Sequence, residues 1–302
     1  MSAAPFPRHI AVLILATLAC SFAGGHIAAR IAFDHDTGLL LAMLCRSGVT
    51  MLALIALVLW RSESLRLKPQ TWGWQLLLGL LIAVQSFCIY SAVARIPVAL
   101  ALLVVNLAPI LLALLTWALG GPRPTARAAL LMGLILFGLV LVLDLPARLS
   151  GETQIDASWI EGVLFGLTAA AVFACALWVT EHRLSAMPGT VRSMLTMLVV
   201  FVASALAGAG GLLPGGMGLP SAGVGWVALA CLVLLYGTAF STLFIFVTRL
   251  NIARNAPVMN MEPVAGLLFG WLILDQLLGG MQIIGGLIVV SGIVLLTYRR
   301  PA

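Results

Sequence analysis

Ten apolar stretches, each of roughly twenty residues, constrain this chain more than any other feature it carries. An α-helix rises about 1.5 Å per residue, so such a stretch crosses the roughly 30 Å of hydrocarbon in a bilayer. The stretches run approximately over 9–30, 39–60, 72–94, 97–119, 126–145, 158–181, 189–210, 223–248, 256–275 and 279–298. With 62% of residues hydrophobic and 9% charged, the chain falls outside the soluble globular class. The expected fold is therefore all-α: an integral membrane protein of ten transmembrane helices in the lipid bilayer. Most links hold only a few residues, which leaves no room for a soluble domain among them and predicts that successive spans pack as antiparallel neighbours. The longer stretch Gly208 to Gly225 is rich in Gly and Pro and carries no charge, and it reads as a flexible connection.

The net charge of +6 does not point to nucleic acid, because the basic residues sit at the ends of apolar runs and build no patch. They are a topology signal. With the N-terminus cytoplasmic, Arg8, Arg61, Arg66, Lys68, Arg123, Arg127, Arg183, Arg192, Arg249, Arg254, Arg299 and Arg300 fall inside, and only Arg30, Arg95 and Arg148 fall outside. The expectation is a multi-pass protein of the cell (inner) membrane with both termini cytoplasmic. Arg8 precedes an apolar run that continues past the usual length of a signal-peptide core, so that run reads as a first span. Cys20, Cys45, Cys88, Cys175 and Cys231 lie singly in apolar segments, which indicates neither a disulfide framework nor a metal site. No H-E-x-x-H, no G-x-S-x-G and no pair of carboxylates on one helix face is present. The chain reads as no enzyme, and no cofactor is called for.

A second constraint lies across the halves. Sliding the sequence by 154 positions places Arg249, Asn260, Pro263 and Trp271 on Arg95, Asn106, Pro109 and Trp117. The duplicated segments are the fourth and ninth spans, an odd five helices apart, so the two copies cross the membrane in opposite directions. An inverted repeat has a pseudo-two-fold axis in the membrane plane. Residues 1–148 are expected to form the first five-helix repeat and 149–302 the second, around a central cavity. Exchange of the two halves' shapes leads to alternating access.

Polar residues at membrane depth are the candidates for a site. Proline removes the hydrogen bond to the carbonyl four residues earlier. Pro109 thus frees a carbonyl beside Asn106, and Pro263 one beside Asn260. At 100° per residue from Asn260, the residues Pro263, Val264, Leu267 and Trp271 share its face, which is expected to line the cavity. Met261, Ala265, Leu268 and Leu272 are expected to face lipid, and Glu262, Gly266 and Gly270 to form a third stripe for helix packing. Gly162-x-x-x-Gly166 reads the same way, as do small residues near Gly133 and Gly285. Glu262 and Arg46 are the ionisable residues placed well inside the hydrocarbon, where each must be paired, wet or neutral. Glu262 is a candidate for ion coupling, and Arg46 for holding a substrate carboxylate. His26, Gln85, Tyr90, Trp178 and Tyr236 complete the substrate-binding candidates. Amides, hydroxyls and rings with few charges suit a neutral or zwitterionic small molecule with an apolar part.

On these residues the chain resembles the drug/metabolite transporter superfamily of EamA type. The resemblance rests on the ten spans, the inverted repeat, Asn106 with Pro109, and Asn260-Met261-Glu262-Pro263. In the first span, Ala23-Gly24-Gly25-His26-Ile27 through Arg30 is similar to that family's W-G-x-N-x-x-x-x-K segment, with Ala23 in the place of the tryptophan. Gly121-Pro122 stands where a g-E pair is common. Within the family the chain looks most like the aromatic and neutral amino-acid exporters. That resemblance implies a basket-like bundle whose cavity walls come from spans 1, 3, 4, 6, 8 and 9. It also implies a secondary transporter, expected as a monomer, that exports neutral amino acids; broad efflux of amphipathic drugs or metabolites is the alternative.

Overall fold

The computed structural model describes residues 6–63, 69–121, 123–145, 147, 156–211, 216–246, 250, 258 and 261–297. Its elements are α1 (Arg8–Asp34), α2 (Leu39–Trp60), α3 (Pro69–Arg95), α4 (Val98–Val105), α5 (Ala108–Ala118), α6 (Ala126–Val142), α7 (Ala157–Arg183), α8 (Gly189–Ala209), α9 (Gly223–Phe246), α10 (Met261–Leu274) and α11 (Gly280–Thr297). Among the described residues there is no strand. Among the described residues seven spans are long and apolar enough to cross a membrane, Val98–Ala118 counting as one, and α6, α10 and α11 are shorter apolar helices. This is an all-α integral membrane protein built from two inverted five-helix repeats.

Local chemistry accounts for the ends of several helices. Thr125 and Asp156 accept hydrogen bonds from the backbone N–H of Ala128 and Trp159, capping α6 and α7. Pro97 and Pro188 lead into α4 and α8. Asp36, Ser62, Asp144 and Asp275 take left-handed backbone angles just past α1, α2, α6 and α10, with φ from 50° to 64°. Asp tolerates this region better than most residues. The fourth span breaks where its proline predicts: α4 ends at Val105, Asn106 and Leu107 form a turn, and Pro109 lies in the first turn of α5.

The packing repeats itself when each span is exchanged for the one five places on. α3 packs along α7 as α9 packs along α1, and α3 meets α8 as α9 meets α2. α1 lies on α10 as α7 lies on α4 and α5, while α2 with α8, α6 with α11 and α4 with α10 each pair a span with its own counterpart. All of these contacts join one half to the other, and the largest core cluster draws on both. Successive spans touch far less than the short links predict. A short link restrains only the ends of two helices, and here the grooves between them are filled by the other half.

Glycine permits the closest of these crossings. A side chain at Gly138 or Gly285 would run into the facing backbone of the other, so α6 and α11 meet there backbone to backbone. Gly162 and Gly166 seat α7 against Ile96 and Val104, as their spacing predicts, and Gly266 seats α10 on Leu102. Gly133 has open space beside it and takes no part; Gly138 is the contact residue. The described part of the 208–225 connection is not loose. Gly38 N–H donates to the Gly218 carbonyl at 2.8 Å, and Ser221 N–H to that of His35 at 3.0 Å, so the stretch from Gly216 is fastened to the α1–α2 turn.

Candidate functional site

Polar side chains from five helices meet inside the bundle. Arg46 on α2 is only 3% exposed, and its Nη2 donates to Ser86 Oγ on α3 at 2.7 Å. Its guanidinium lies 5.0 Å from the ring centre of Tyr90 on α3 and 4.1 Å from that of Tyr236 on α9. Both rings therefore present π faces to one buried cation, an arrangement that strengthens on desolvation. Among the described residues neither Arg46 Nε nor the buried Tyr90 hydroxyl has a hydrogen-bond partner. Among the described residues no carboxylate lies within ion-pair distance of Arg46.

The cluster continues toward α1 and α10. The His26 ring packs edge-on to Tyr90 at 6.0 Å, and His26 Nε2 lies 3.5 Å from Glu262 Oε1. Aromatic residues frame the group: Phe33 against Tyr90, Phe22 against Tyr236, and Phe240 stacked on Tyr236 at 5.4 Å. On a rise of 1.5 Å per residue, His26 and Arg46 lie about 10–12 Å from the helix ends near Asp34 and Arg95, and Tyr236 and Glu262 about 18–20 Å from them. At such depth the His26 and Glu262 side chains are 13% and 25% exposed, so neither is fully enclosed by its neighbours.

The sequence candidates divide accordingly. His26, Arg46, Tyr90, Tyr236 and Glu262 come together. Asn106 stands at the α4–α5 break, and its amide donates to the Leu102 carbonyl of its own helix at 2.9 Å. Pro109 and Pro263 hold the fourth and ninth spans at half-buried and buried positions. Asn260 lies outside the described residues. Gln85 is half-buried, but the α3 side chain that reaches Arg46 is its neighbour Ser86, one helical turn before Tyr90 and on the same face. Trp178 is not part of the cluster. It stacks on His182 at 4.8 Å and lies with Trp74 against Arg183 at the opposite end of the bundle. Its place five residues before that terminal arginine keeps it near the surface layer.

The facing of α10 also differs from expectation. Val264 and Trp271, assigned to the cavity, are 43% and 54% exposed, whereas Ala265, assigned to lipid, is buried. The small residues settle this: Ala265, Gly266 and Gly270 turn inward because only they let α10 approach its neighbours. Glu262, one turn before Gly266, is carried inward with them.

Hydrogen bonds tie the Asp34/Arg95 end together. Arg95 pairs with Glu161 at 2.9 Å, Arg30 Nη1 donates to the Val93 carbonyl at 2.9 Å, and Val98 N–H donates to Gln276 Oε1 at 3.2 Å. At the other end Gln75 Nε2 donates to Thr196 Oγ1 at 3.0 Å and Thr190 to Glu63 at 2.9 Å. A separate apolar groove of about 520 Å³ opens sideways between α1, α9 and α10, with Cys20, Gly24, Cys231, Leu235 and Phe269 among its walls. Its hydroxyls, on Thr17 and Ser21, are spent on backbone carbonyls. The groove offers shape but no charge.

Among known proteins, a solved crystal structure, described only as that of a protein, superposes with a TM-score of 0.63 at 23% identity, over 95% of this chain and 96% of that one. The likeness is one of fold. No curated protein matches the chain. The sequence profile of the EamA-like transporter family matches twice, over residues 9–144 and again over 160–298, one match to each half. With nearly the whole length accounted for by two copies of that profile, and with its spans packed as interleaved repeats, the chain belongs to the EamA-like transporter family, whose members are membrane transporters of small molecules.

Proposed function

We propose that this chain exports aromatic or other neutral amino acids across the cell membrane, as a monomeric secondary transporter working by alternating access with both termini in the cytoplasm. The observation that carries the reading is Arg46: buried to 3% exposure, braced by Tyr90 and Tyr236, and, among the described residues, with a free Nε and no carboxylate partner. A cation at this depth costs roughly 3 kcal/mol or more unless it is compensated. A solute carboxylate supplies the missing charge and accepts from the fixed guanidinium fork. Phe22, Tyr236 and Phe240 then lie ready for an apolar or aromatic side chain. One cation suits a single carboxylate and not a phosphate ester, which calls for clustered Arg or Lys.

The two repeats, taken as residues 1–148 and 149–302, supply the motion. Packing that is preserved under exchange of the halves supports two states of similar energy, one open to each side. The break at Asn106 and Leu107 gives the fourth span a place to flex, and Asn260 with Pro263 is the counterpart in the ninth. Broad efflux of amphipathic compounds is the second reading, favoured by the uncharged groove between α1, α9 and α10. Counterflow in proteoliposomes separates the two. Phenylalanine flux inhibited by threonine and methionine supports amino-acid export; efflux of apolar cations without amino-acid flux overturns it.

A further inference from the structure

We propose that the apolar groove between α1, α9 and α10 binds one acyl chain of a bilayer phospholipid, and that the bound chain holds the transporter with its Asp34/Arg95 end shut. The second half of this rests on the alternating-access reading of the two repeats. The groove, of about 520 Å³, opens sideways from the bundle. What surrounds a bundle at that depth is hydrocarbon and not water. Among the described residues no charged side chain lines the groove, and the hydroxyls of Thr17 and Ser21 donate to the carbonyls of Leu13 and Thr17, each at 2.9 Å. A headgroup or a charged solute finds no partner inside, whereas a hydrocarbon tail needs none.

The dimensions suit such a tail. Thr17, Gly24, Ala28 and Ile31 fall on one stripe of α1 and make one wall. From Ile31 to Thr17 is about 21 Å along α1, and from Val224 to Leu235 about 17 Å along α9. The chains of one leaflet span about 15 Å, half of the hydrocarbon core. A tail therefore lies lengthwise in the groove, entering at the Asp34 end, where Ile31, Val224 and Ile273 stand. Gly24 sets the floor: a methyl group added there would come within 3.3 Å of Leu235 and 4.0 Å of Phe269, so a longer side chain takes up the space of the tail.

The other half of the molecule shows what belongs in this seam. Exchange of the halves carries α1, α9 and α10 onto α7, α3 and α4–α5. That counterpart seam is filled by the protein itself, with Phe87 on α3 edge-on to Phe165 on α7 at 5.6 Å, Gly162 against Ile96 and Gly166 against Val104. The tied end lies beside it, Arg95 pairing with Glu161 at 2.9 Å and the Val98 N–H donating to Gln276 at 3.2 Å. One seam is packed and its mate gapes. The two states of an inverted repeat exchange the shapes of the halves, so the transition that opens the tied end closes the groove. A chain lying in the groove binds one state alone and draws the population toward it by mass action. Amphipathic solutes would compete for the same place.

The test uses the full-length protein from bilayers of phosphatidylethanolamine and phosphatidylglycerol. Native mass spectrometry should find one phospholipid retained by wild type and at least tenfold less retention in Gly24→Leu. Cys231 is exposed on the groove wall, so hexadecyl methanethiosulfonate can tether a chain there without any substitution. Tethering should displace the phospholipid, while Cys231→Ala given the same reagent should keep it. Amide hydrogen exchange over Val93 to Val98 reads opening of the tied end. The tethered chain acts at a high effective concentration and should slow that exchange at least tenfold, and the treated Cys231→Ala should exchange as untreated wild type does. Wild type that retains no lipid, or retains it equally after tethering, overturns the site. Displacement without any change in exchange overturns the hold on the conformation and leaves alternating access intact. If Val93 to Val98 exchange only on global unfolding in every sample, the alternating-access reading falls instead, and lipid retention alone decides the site.

Discussion

Two arginines in this bundle lean on pairs of aromatic rings. Arg183 sits at the end of α7, exposed, between Trp74 at 4.8 Å and Trp178 at 5.7 Å. Arg46 sits deep in α2 between Tyr90 and Tyr236 at closely similar distances. The ring contacts alone do not separate them; their surroundings do. Arg183 can trade its rings for water or lipid headgroups at little cost, as interfacial Trp and Arg side chains commonly do. Arg46 has no such exit and, among the described residues, no carboxylate partner, which is why an anionic solute is proposed to supply its counter-charge. Cation–π geometry marks a place where a cation rests, and burial without a counter-ion marks a place where an anion is wanted.

The largest effect expected from this contrast is on transport. Arg46→Ala should lower phenylalanine flux by about a hundredfold or more, since losing one member of a buried charge pair typically costs 2–5 kcal/mol. Arg183→Ala should change flux by less than about twofold, as exposed charges usually do. Equal losses in proteoliposomes containing matched amounts of the two variants would erase the distinction. Arg46→Lys sharpens it: a compact ammonium cannot reproduce the planar fork over the two rings, and a loss of about tenfold is expected.

A smaller difference is expected between the aromatic partners. Tyr236→Ala removes a desolvated cation–π contact worth roughly 2 kcal/mol, which predicts about a tenfold weaker apparent affinity, while Tyr236→Phe keeps the ring and should stay within about threefold. Trp178→Ala, at the Arg183 end, should leave the affinity unchanged. Asn106→Ala should slow turnover a few-fold without preventing membrane insertion, because it loosens the α4–α5 break and touches no charge. Smallest for transport, and largest for stability, is Gly285→Val: no room exists against Gly138, and overpacking of this kind costs about 1–3 kcal/mol, readable as a lower thermal midpoint in detergent.

Much of this was legible before the structure. Ten spans follow from apolar length alone, and the break at Asn106 follows from a proline that removes one helical bond. Arg46, His26, Tyr90, Tyr236 and Glu262 stood out because polar groups are rare at such depth. What the sequence could not supply was which of them meet, since Arg46 and Tyr236 are 190 positions apart and no local pattern encodes that contact. The facing of α10 was misjudged for a related reason. An angular ladder begun at Asn260 has no anchor in the neighbours, and the inward face was set by where Gly266 had to admit Leu102. Ser86 was missed because a single serine carries no periodic signal, although its place one turn before Tyr90 could have drawn attention to it.

The central claim is that Arg46 recognises a carboxylate, and it can be tested by calorimetric binding of two ligands to wild type and to Arg46→Ala. The ligands are phenylalanine and phenethylamine, which share the ring and the ammonium and differ in the carboxylate. Wild type should prefer phenylalanine by about a hundredfold and Arg46→Ala should bind both alike, the lost discrimination matching one buried charge-assisted contact. A preference for phenylalanine that survives in Arg46→Ala would contradict the account.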